Sequence, residues 1–194
     1  MPHVTEGIFT FEDRIIFCKP AGFTHPYIAS RSRGVEYQAN FIAADPIVYS
    51  VNEHSGNIAL PTAEGGFSSP LTSPLASGII SIGGVLLASN AGNTAVAPMI
   101  VIYGPVDSPR LRNVTQGKSL EFNISLGADD YLVIDFRPLH KTVMLNGTAS
   151  RYSSLTLAEW WDLQPGTNEI TYAASTYQVG SYALVTWRDG FLTA

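Results

Sequence analysis

The sequence predicts an all-β protein of antiparallel strands, arranged as a β-sandwich or a barrel. Three observations predict this class. Short runs rich in β-branched and aromatic residues recur along the chain, separated by Gly, Pro, Asn and Asp. No run carries apolar residues at helical spacing over three turns. Hydrophobic residues make up 45% of the 194 residues and charged residues only 14%, which is typical of a chain that folds around a core.

Each predicted strand is an apolar or alternating run that ends at a turn signal. In chain order the runs are GIFTF, RIIFCK, VEYQANFIAA, GIISIGGVLLAS, APMIVIYGPV, RLRNVT, KSLEFNISL, YLVIDF, TVMLNG, ASRYSSL, NEITYAAS and YALVTWRD. In SLEFNISL, every second residue from Leu120 to Leu126 is apolar, as in a half-buried antiparallel strand. In the last run, Trp187 shares a face with Val185, which makes it a candidate for the core.

The segments between the strands carry recognisable turn chemistry. GADD and QPGTN are turns, and the Asn146-Gly147 pair in LNGTAS is a strong hairpin signal. One stretch, SSLTLAEWWDL, allows a helix of one or two turns. Ser154 or Thr156 would cap it, with Glu159 in its first turn.

Composition divides the chain into three parts. Residues 1–51 form a small N-terminal β region, and residues 79–194 form the main sandwich. Residues 52–78 are rich in Pro, Ser, Gly and Thr and lack the alternation of a strand, so we predict an extended linker arm there. A free linker would leave its spaced apolar residues exposed to water, so we expect this segment to pack along a surface.

Charge and cysteine content exclude several classes of function. The net charge is -5 with no basic stripe, so we expect neither a nucleic-acid nor a membrane partner. Cys18 is the single cysteine, which excludes an internal disulfide and a cysteine-based metal cluster. The longest apolar runs are too short or too rich in Gly and Ser to span a bilayer.

No local pattern predicts catalysis, a metal or a cofactor. The histidines are isolated in the sequence: His3, His25, His54 and His140. Neither a metal site nor a nucleophile beside a base is predicted from them. Asp135 lies two residues before Arg137 on one strand face, and we predict a structural pair. A glycosidase would need a second matched carboxylate across a cleft, for which there is no motif.

Trp160 and Trp161 pose the question of a carbohydrate-binding surface. In a strand they point to opposite faces, and in a helical turn they lie about 100° apart, so they cannot form one flat shelf. We expect one to pack inward and the other to lie at the surface or an interface, and we favour packing over sugar binding. The aromatics of the alternative, a glycan-binding module, would be Trp160 or Trp161, with Tyr152 or Tyr177.

Several phrases, in a fixed order, resemble one known family. They are FIAADPIVYS, then NAGNTAVAPMIVIYGPVDSPRLRNVTQGKSLEFNISLGADDYLVIDFRPLHKTVMLNG, then WWDLQPGTNEI, then VTWRDGFL. Over residues 35–192 the chain resembles the C-terminal half of siphophage distal tail proteins, also called minor tail proteins with a siphovirus-type tail-component domain.

The resemblance implies a fold, a place and a set of partners. Members of the family form a homo-oligomeric ring, commonly a hexamer, between the tail tube and the tip or baseplate of the virion. An N-terminal belt domain makes the ring, and a galectin-like β-sandwich of jelly-roll type projects outward to touch the host surface or other tail proteins. The resemblance implies no catalytic residues and no cofactor, and it implies synthesis in the host cytoplasm. A host glycan is the further partner that it suggests.

The N-terminal part departs from the family pattern. A belt domain usually runs to well over 100 residues, whereas about 50 precede the linker here. The segment RSRGVEYQANFIAADPIVYS resembles the end of a belt, so residues 1–51 are predicted to be a remnant or a reduced belt. Within the linker, we expect Phe67, Leu71 and Leu75 to form an arm against a neighbouring subunit.

Overall fold

The structure is a computed structural model that describes residues 7–24, 38–60, 84–138, 140–175 and 179–192. Its backbone is almost entirely extended. In chain order its elements are β1 (Gly7–Phe11), β2 (Arg14–Thr24), β3 (Gln38–Ile42), β4 (Val48–Ser50), β5 (His54–Ala59), β6 (Val85–Asn90), β7 (Met99–Tyr103), β8 (Val106–Asp107), β9 (Arg110–Asn113), β10 (Lys118–Phe122), β11 (Ser125–Leu126), β12 (Tyr131–Asp135), β13 (Thr142–Leu145), β14 (Ala149–Ser150), a 3-10 turn (Tyr152–Ser154), β15 (Leu155–Ala158), β16 (Gly166–Ala173), β17 (Tyr182–Trp187) and β18 (Gly190–Phe191).

Two antiparallel sheets form a sandwich, which confirms the predicted fold class. One has six strands in the order β14-β13-β12-β7-β17-β5, and the other has five in the order β15-β10-β9-β16-β6. The central strands bury alternate residues between the sheets, as Ile100 and Ile102 of β7 show. Trp187 of β17 is buried, as its shared face with Val185 predicts.

A smaller sheet holds the N-terminal strands and the end of the chain. Its order is β1-β2-β4-β18, with β3 also paired to β2. Residues 188–191, which we call the C-terminal latch, tie this sheet to the sandwich. Within the latch, the Gly190 carbonyl accepts the N–H groups of Asn93 (2.9 Å) and Thr94 (3.2 Å), while β18 pairs with β4. The Arg14 guanidinium lies 3.4 Å from the centre of the Phe191 ring.

The structure differs from the predicted linker at its beginning. Strand β5 pairs with β17 along its whole length, at the edge of the six-stranded sheet. The sequence of β5 lacks a strand pattern because Gly56 and Asn57 interrupt the apolar alternation. Within this strand only Ile58 is deeply buried. A Cβ at Gly56 would lie 2.5 Å from a Leu86 methyl carbon, so close packing favours glycine there. The three-part division of the chain stays a prediction, and the arm residues Phe67, Leu71 and Leu75 lie outside the described residues.

The prediction of a short helix in SSLTLAEWWDL is wrong. Only a single 3-10 turn forms, and strand β15 follows it directly. β15 pairs with β10, with Leu120 opposite Ala158. A helix of one or two turns is marginal by itself, and the ladder to β10 gives the same backbone groups partners in the sheet.

The predicted turns agree with the structure. Asn146 and Gly147 take φ values of 50° and 69° between β13 and β14, which is the left-handed backbone that an Asn-Gly hairpin needs. In GADD, the Asp130 N–H donates to the Gly127 carbonyl, and the Asp130 carboxylate accepts the Gly127 N–H. These contacts set the register of the strands on either side.

Candidate interaction surfaces

The sheet formed by β1, β2 and β3, which we call the N-terminal sheet, exposes large apolar side chains. Phe11 is 66% exposed and Ile42 is 64% exposed. The other large exposed apolar residues of these strands are Ile8, Phe9, Phe23 and Phe41. Phe9 and Phe41 contact each other, with ring centres 5.9 Å apart. The described part of the chain leaves these side chains open to solvent.

These residues occupy both faces of the N-terminal sheet. Ile8 pairs with Phe17 and Phe9 pairs with Ile16, so neighbouring apolar residues project in opposite directions. Strands that are apolar on both faces are typical of sheets covered on both sides. A sheet with one solvated face would instead alternate apolar and polar residues. The N-terminal sheet therefore carries apolar residues on both faces, as a buried sheet does, yet its large apolar side chains are exposed to solvent.

A second candidate surface is built on aromatic rings at one end of the sandwich. Trp161 is 2% exposed and packs on Phe136, with ring centres 4.6 Å apart. Trp160 is partly buried and meets Phe136 edge-on at 5.1 Å. Tyr152 is 47% exposed and stacks on Trp160, with centres 6.2 Å apart and an angle of 17° between the rings. We call Tyr152 and Trp160 the aromatic stack.

The two tryptophans thus take different roles. Trp161 points into the core, so of the two tryptophans only Trp160 is placed for the glycan-binding alternative, which stays a prediction. Trp160 and Tyr152 lie together at the surface, whereas Tyr177 lies outside the described residues. The Lys141 ammonium lies 5.7 Å from the centre of the Trp160 ring, close enough for a cation–π contact.

A cleft of about 400 Å³ lies between the N-terminal sheet region and the sandwich. Phe17 and Tyr49 line one wall, and Met99, Arg137 and Trp187 line the other. The Tyr49 hydroxyl donates to the Asp45 carboxylate at 2.5 Å. Burial, with the neighbouring carboxylate, raises the pKa of the Tyr49 phenol well above its usual value. Sequence reasoning missed Tyr49 and Asp45 because no motif marks them.

The structure brings Asp135 and Arg137 together at the edge of this cleft. The guanidinium contacts the carboxylate through Nε and through Nη2, the latter at 2.6 Å, and the Arg137 backbone N–H donates to the same carboxylate at 2.9 Å. Asp135 is buried while Arg137 is about half exposed. These bonds occupy both carboxylate oxygens, so the group is held as an anchor for the strand end.

Of the four histidines, the structure describes His54 and His140. His54 Nε2 lies 2.9 Å from the Asp189 carboxylate, and its ring stacks on Trp187. His140 is exposed, and its backbone N–H donates to Arg137. His3 and His25 lie outside the described residues. Within the described ranges no group of three or more His, Cys, Asp or Glu side chains could hold a metal ion.

Sequence reasoning also missed a row of tyrosines across the six-stranded sheet. Tyr131, Tyr103 and Tyr182 lie opposite one another on neighbouring strands. The Tyr103 and Tyr182 rings stack at 4.7 Å with 20° between their planes. The Tyr103 and Tyr131 rings lie 6.0 Å apart with 35° between their planes. Strand register brings them together, and register is not visible in the sequence.

Membrane insertion through helices finds no support in this fold. Nowhere in the described part of the chain is there a helix with the length and apolar character needed to cross a bilayer.

Comparison with known proteins agrees with this architecture. No curated protein matches the sequence. Among solved structures, the crystal structure of the SPP1 Dit (gp 19.1) protein is similar with a TM-score of 0.58 and 12% sequence identity. The SPP1 protein is described as a paradigm of the hub adsorption apparatus in phages that infect Gram-positive bacteria. At this identity the likeness shows a shared fold.

The alignment with that structure covers 93% of this chain and 61% of the SPP1 protein. The present chain therefore spans less than two thirds of its structural relative. The family model for the C-terminal domain of the siphovirus-type tail component matches residues 91–189, which is more than half of the sequence and includes most of the sandwich. The chain belongs to the siphovirus-type tail component family.

Proposed function

We propose that this protein is a structural component of a phage tail tip that assembles into a homo-oligomeric ring and joins the tail tube to the tip or baseplate. The observation that carries the proposal is the exposure of large apolar side chains on both faces of the N-terminal sheet. The family membership supports the place in the tail, and the similarity to the SPP1 hub protein supports the position at the tube–tip junction.

Burial of the N-terminal sheet supplies the driving force for assembly. Fully burying one large apolar side chain contributes about 1.5–3 kcal/mol. Phe11, Ile42 and the four other exposed apolar residues of the sheet are each at least half exposed. Covering them with neighbouring subunits therefore supplies on the order of 5–10 kcal/mol before the cost of association.

The shape of the sheet favours a ring over a dimer that buries one face. An interface on each of two opposite faces gives every subunit two neighbours, and a head-to-tail contact whose rotation closes makes a cyclic oligomer. The family resemblance suggests about six copies. On this proposal the sandwich lies outside the ring, the protein resides in the virion after synthesis in the bacterial cytoplasm, and its role is not catalytic.

Light scattering on a sizing column tests the assembly. We expect the chain to elute at several times its 20.9 kDa mass. Phe11→Ser and Phe41→Ser should shift it toward the monomer, because each removes an exposed apolar contact. Leu87→Ser is the matched control, since Leu87 is 64% exposed on β6 of the sandwich. A monomer at every concentration, or equal effects of all three substitutions, would contradict the proposal.

A second candidate function is contact with host cell-surface glycans through the aromatic stack. The observation that favours it is the exposure of Tyr152, which is 47% exposed and lies nearly parallel to Trp160. Retention of the protein on host cell-wall glycan should fall for Tyr152→Ala and persist for Tyr182→Ala, whose ring lies in the tyrosine row. Equal retention of both variants argues against this function.

A further inference from the structure

We infer that the aromatic stack, together with Lys141 and Arg151, binds an acidic saccharide whose sugar ring packs on Tyr152 and whose anionic group is attracted by the two cations. This inference rests on the second candidate function and names its ligand class.

The Tyr152 ring is backed by a set of packed aromatic rings. It lies nearly parallel to Trp160, with ring centres 6.2 Å apart, and remains 47% exposed. Trp160 is held edge-on by Phe136, and Phe136 in turn packs on the buried Trp161. A ring supported in this way loses little conformational freedom on binding, which favours affinity. The C–H groups of a sugar ring suit the electron-rich face of the phenol.

The cations at this site lack acidic partners. Arg110, Arg137 and Arg188 each pair with a carboxylate. Across the residues that the structure describes, neither Lys141 nor Arg151 forms an ion pair. Lys141 lies over Trp160, and Arg151 precedes Tyr152 with its Nη1 donating to the Ser150 carbonyl at 3.2 Å. The two side chains therefore add positive charge beside the stack, Lys141 at the Trp160 ring and Arg151 next to Tyr152 in the chain.

The carboxylate next to Trp160 in the sequence is bound elsewhere. The Glu159 carboxylate accepts the Ser119 N–H at 3.0 Å on strand β10. In a chain with a net charge of -5, an aromatic platform flanked by unpaired cations is complementary to an anion. Because the platform also offers a flat ring, it fits an acidic sugar better than a simple anion.

Titration calorimetry with trigalacturonate as the probe tests this inference. Neutral galactotriose is the uncharged match, and polyglutamate and a thymidine oligonucleotide are polyanions without a pyranose uronate. We expect trigalacturonate to bind and the other three to bind at least tenfold more weakly, about 1.4 kcal/mol. Raising the salt from about 50 mM to about 300 mM should weaken the binding, because exposed charges are screened.

The variants separate the two parts of the site. Tyr152→Ala should abolish trigalacturonate binding and Tyr152→Phe should retain it, because the ring and not the hydroxyl makes the contact. An unchanged circular dichroism spectrum of Tyr152→Ala excludes misfolding as the cause of the loss. Lys141→Gln and Arg151→Gln should each weaken binding roughly five- to tenfold, the usual range for one charged contact. Lys118→Gln removes an exposed lysine from β10 and should change nothing.

Each other outcome overturns a different statement. Equal binding of galactotriose, with no effect of Lys141→Gln, would overturn the acidic ligand and leave the glycan-binding function standing. Equal binding of polyglutamate or the oligonucleotide would overturn the saccharide. If neither saccharide bound, the inference would fall, while retention on host cell-wall glycan would still decide the second candidate function and light scattering would still decide the ring.

Discussion

Replacing Trp161 tests the packing of the sandwich most sharply. Trp161 is 2% exposed and lies on Phe136 in the core. A buried aromatic covers about 200 Å², which at about 25 cal/mol per Å² gives an upper limit near 5 kcal/mol. Measured Trp-to-Ala changes in cores fall at about 3–5 kcal/mol. We therefore expect Trp161→Ala to lower the free energy of unfolding by about 3–5 kcal/mol.

Two companion variants give this prediction a scale. Trp160 is only partly buried, so Trp160→Ala should cost about 1–2 kcal/mol, roughly half as much. Among the residues that the structure describes, the buried Trp161 indole N–H has no hydrogen-bond partner. Trp161→Phe removes that unpaired donor and keeps a ring against Phe136, so it should cost about 1–3 kcal/mol less than the alanine variant.

Urea unfolding followed by far-ultraviolet circular dichroism is the suitable assay, because removing a tryptophan disturbs fluorescence. The midpoints and slopes of the three variants and the wild type give the differences in unfolding free energy. A Trp161→Ala cost below about 1 kcal/mol, or a larger cost for Trp160→Ala, would refute the assignment of Trp161 to the core.

Three further predictions concern the strand end, the latch and alkaline pH. Asp135→Asn should lower the unfolding free energy by about 1–3 kcal/mol in urea titrations, because it leaves the Arg137 guanidinium without its carboxylate; an unchanged value would contradict the anchoring role. Gly92→Ala should cost at least about 3 kcal/mol in the same assay, since its Cβ would lie 1.9 Å from the Gly190 carbonyl oxygen and the latch would have to move; a neutral result would show that the latch is loose. Burial raises the pKa of Tyr172 to about 12 from its ordinary value of 10.0, so the folded state keeps a proton that the unfolded chain releases. This contribution to the free energy of unfolding is complete below pH 10 and falls by at most about 1.4 kcal/mol per pH unit toward pH 12. In unfolding measurements from pH 8 to 12, the free energy of unfolding should therefore fall less steeply for Tyr172→Phe than for the wild type.

The sequence predicted those parts of the fold that local patterns determine. Alternation predicted the buried faces of β10 and β17, and the Asn146-Gly147 pair predicted a hairpin, because each depends on neighbours in the chain. Strand β5 was missed because it owes its place to pairing with β17 and to the close approach of Leu86 to Gly56.

The candidate surfaces depended more on tertiary structure. The sequence predicted that one tryptophan would be buried, but only the position of Phe136 decides that Trp161 is the one. The tyrosine row could not be predicted, because its members lie far apart in the chain and meet through strand register. The apolar residues of β1 were visible as a strand, whereas their exposure on both faces needed the structure.

Hydrogen exchange measured at several protein concentrations tests most directly the claim that the N-terminal sheet is the assembly interface. We predict that the amides of Gly7–Phe11 and Gln38–Ile42 gain protection as the concentration rises, while those of Met99–Tyr103 in the sandwich stay constant. Protection of the N-terminal strands that does not change with concentration, or a gain confined to the sandwich, would contradict the account.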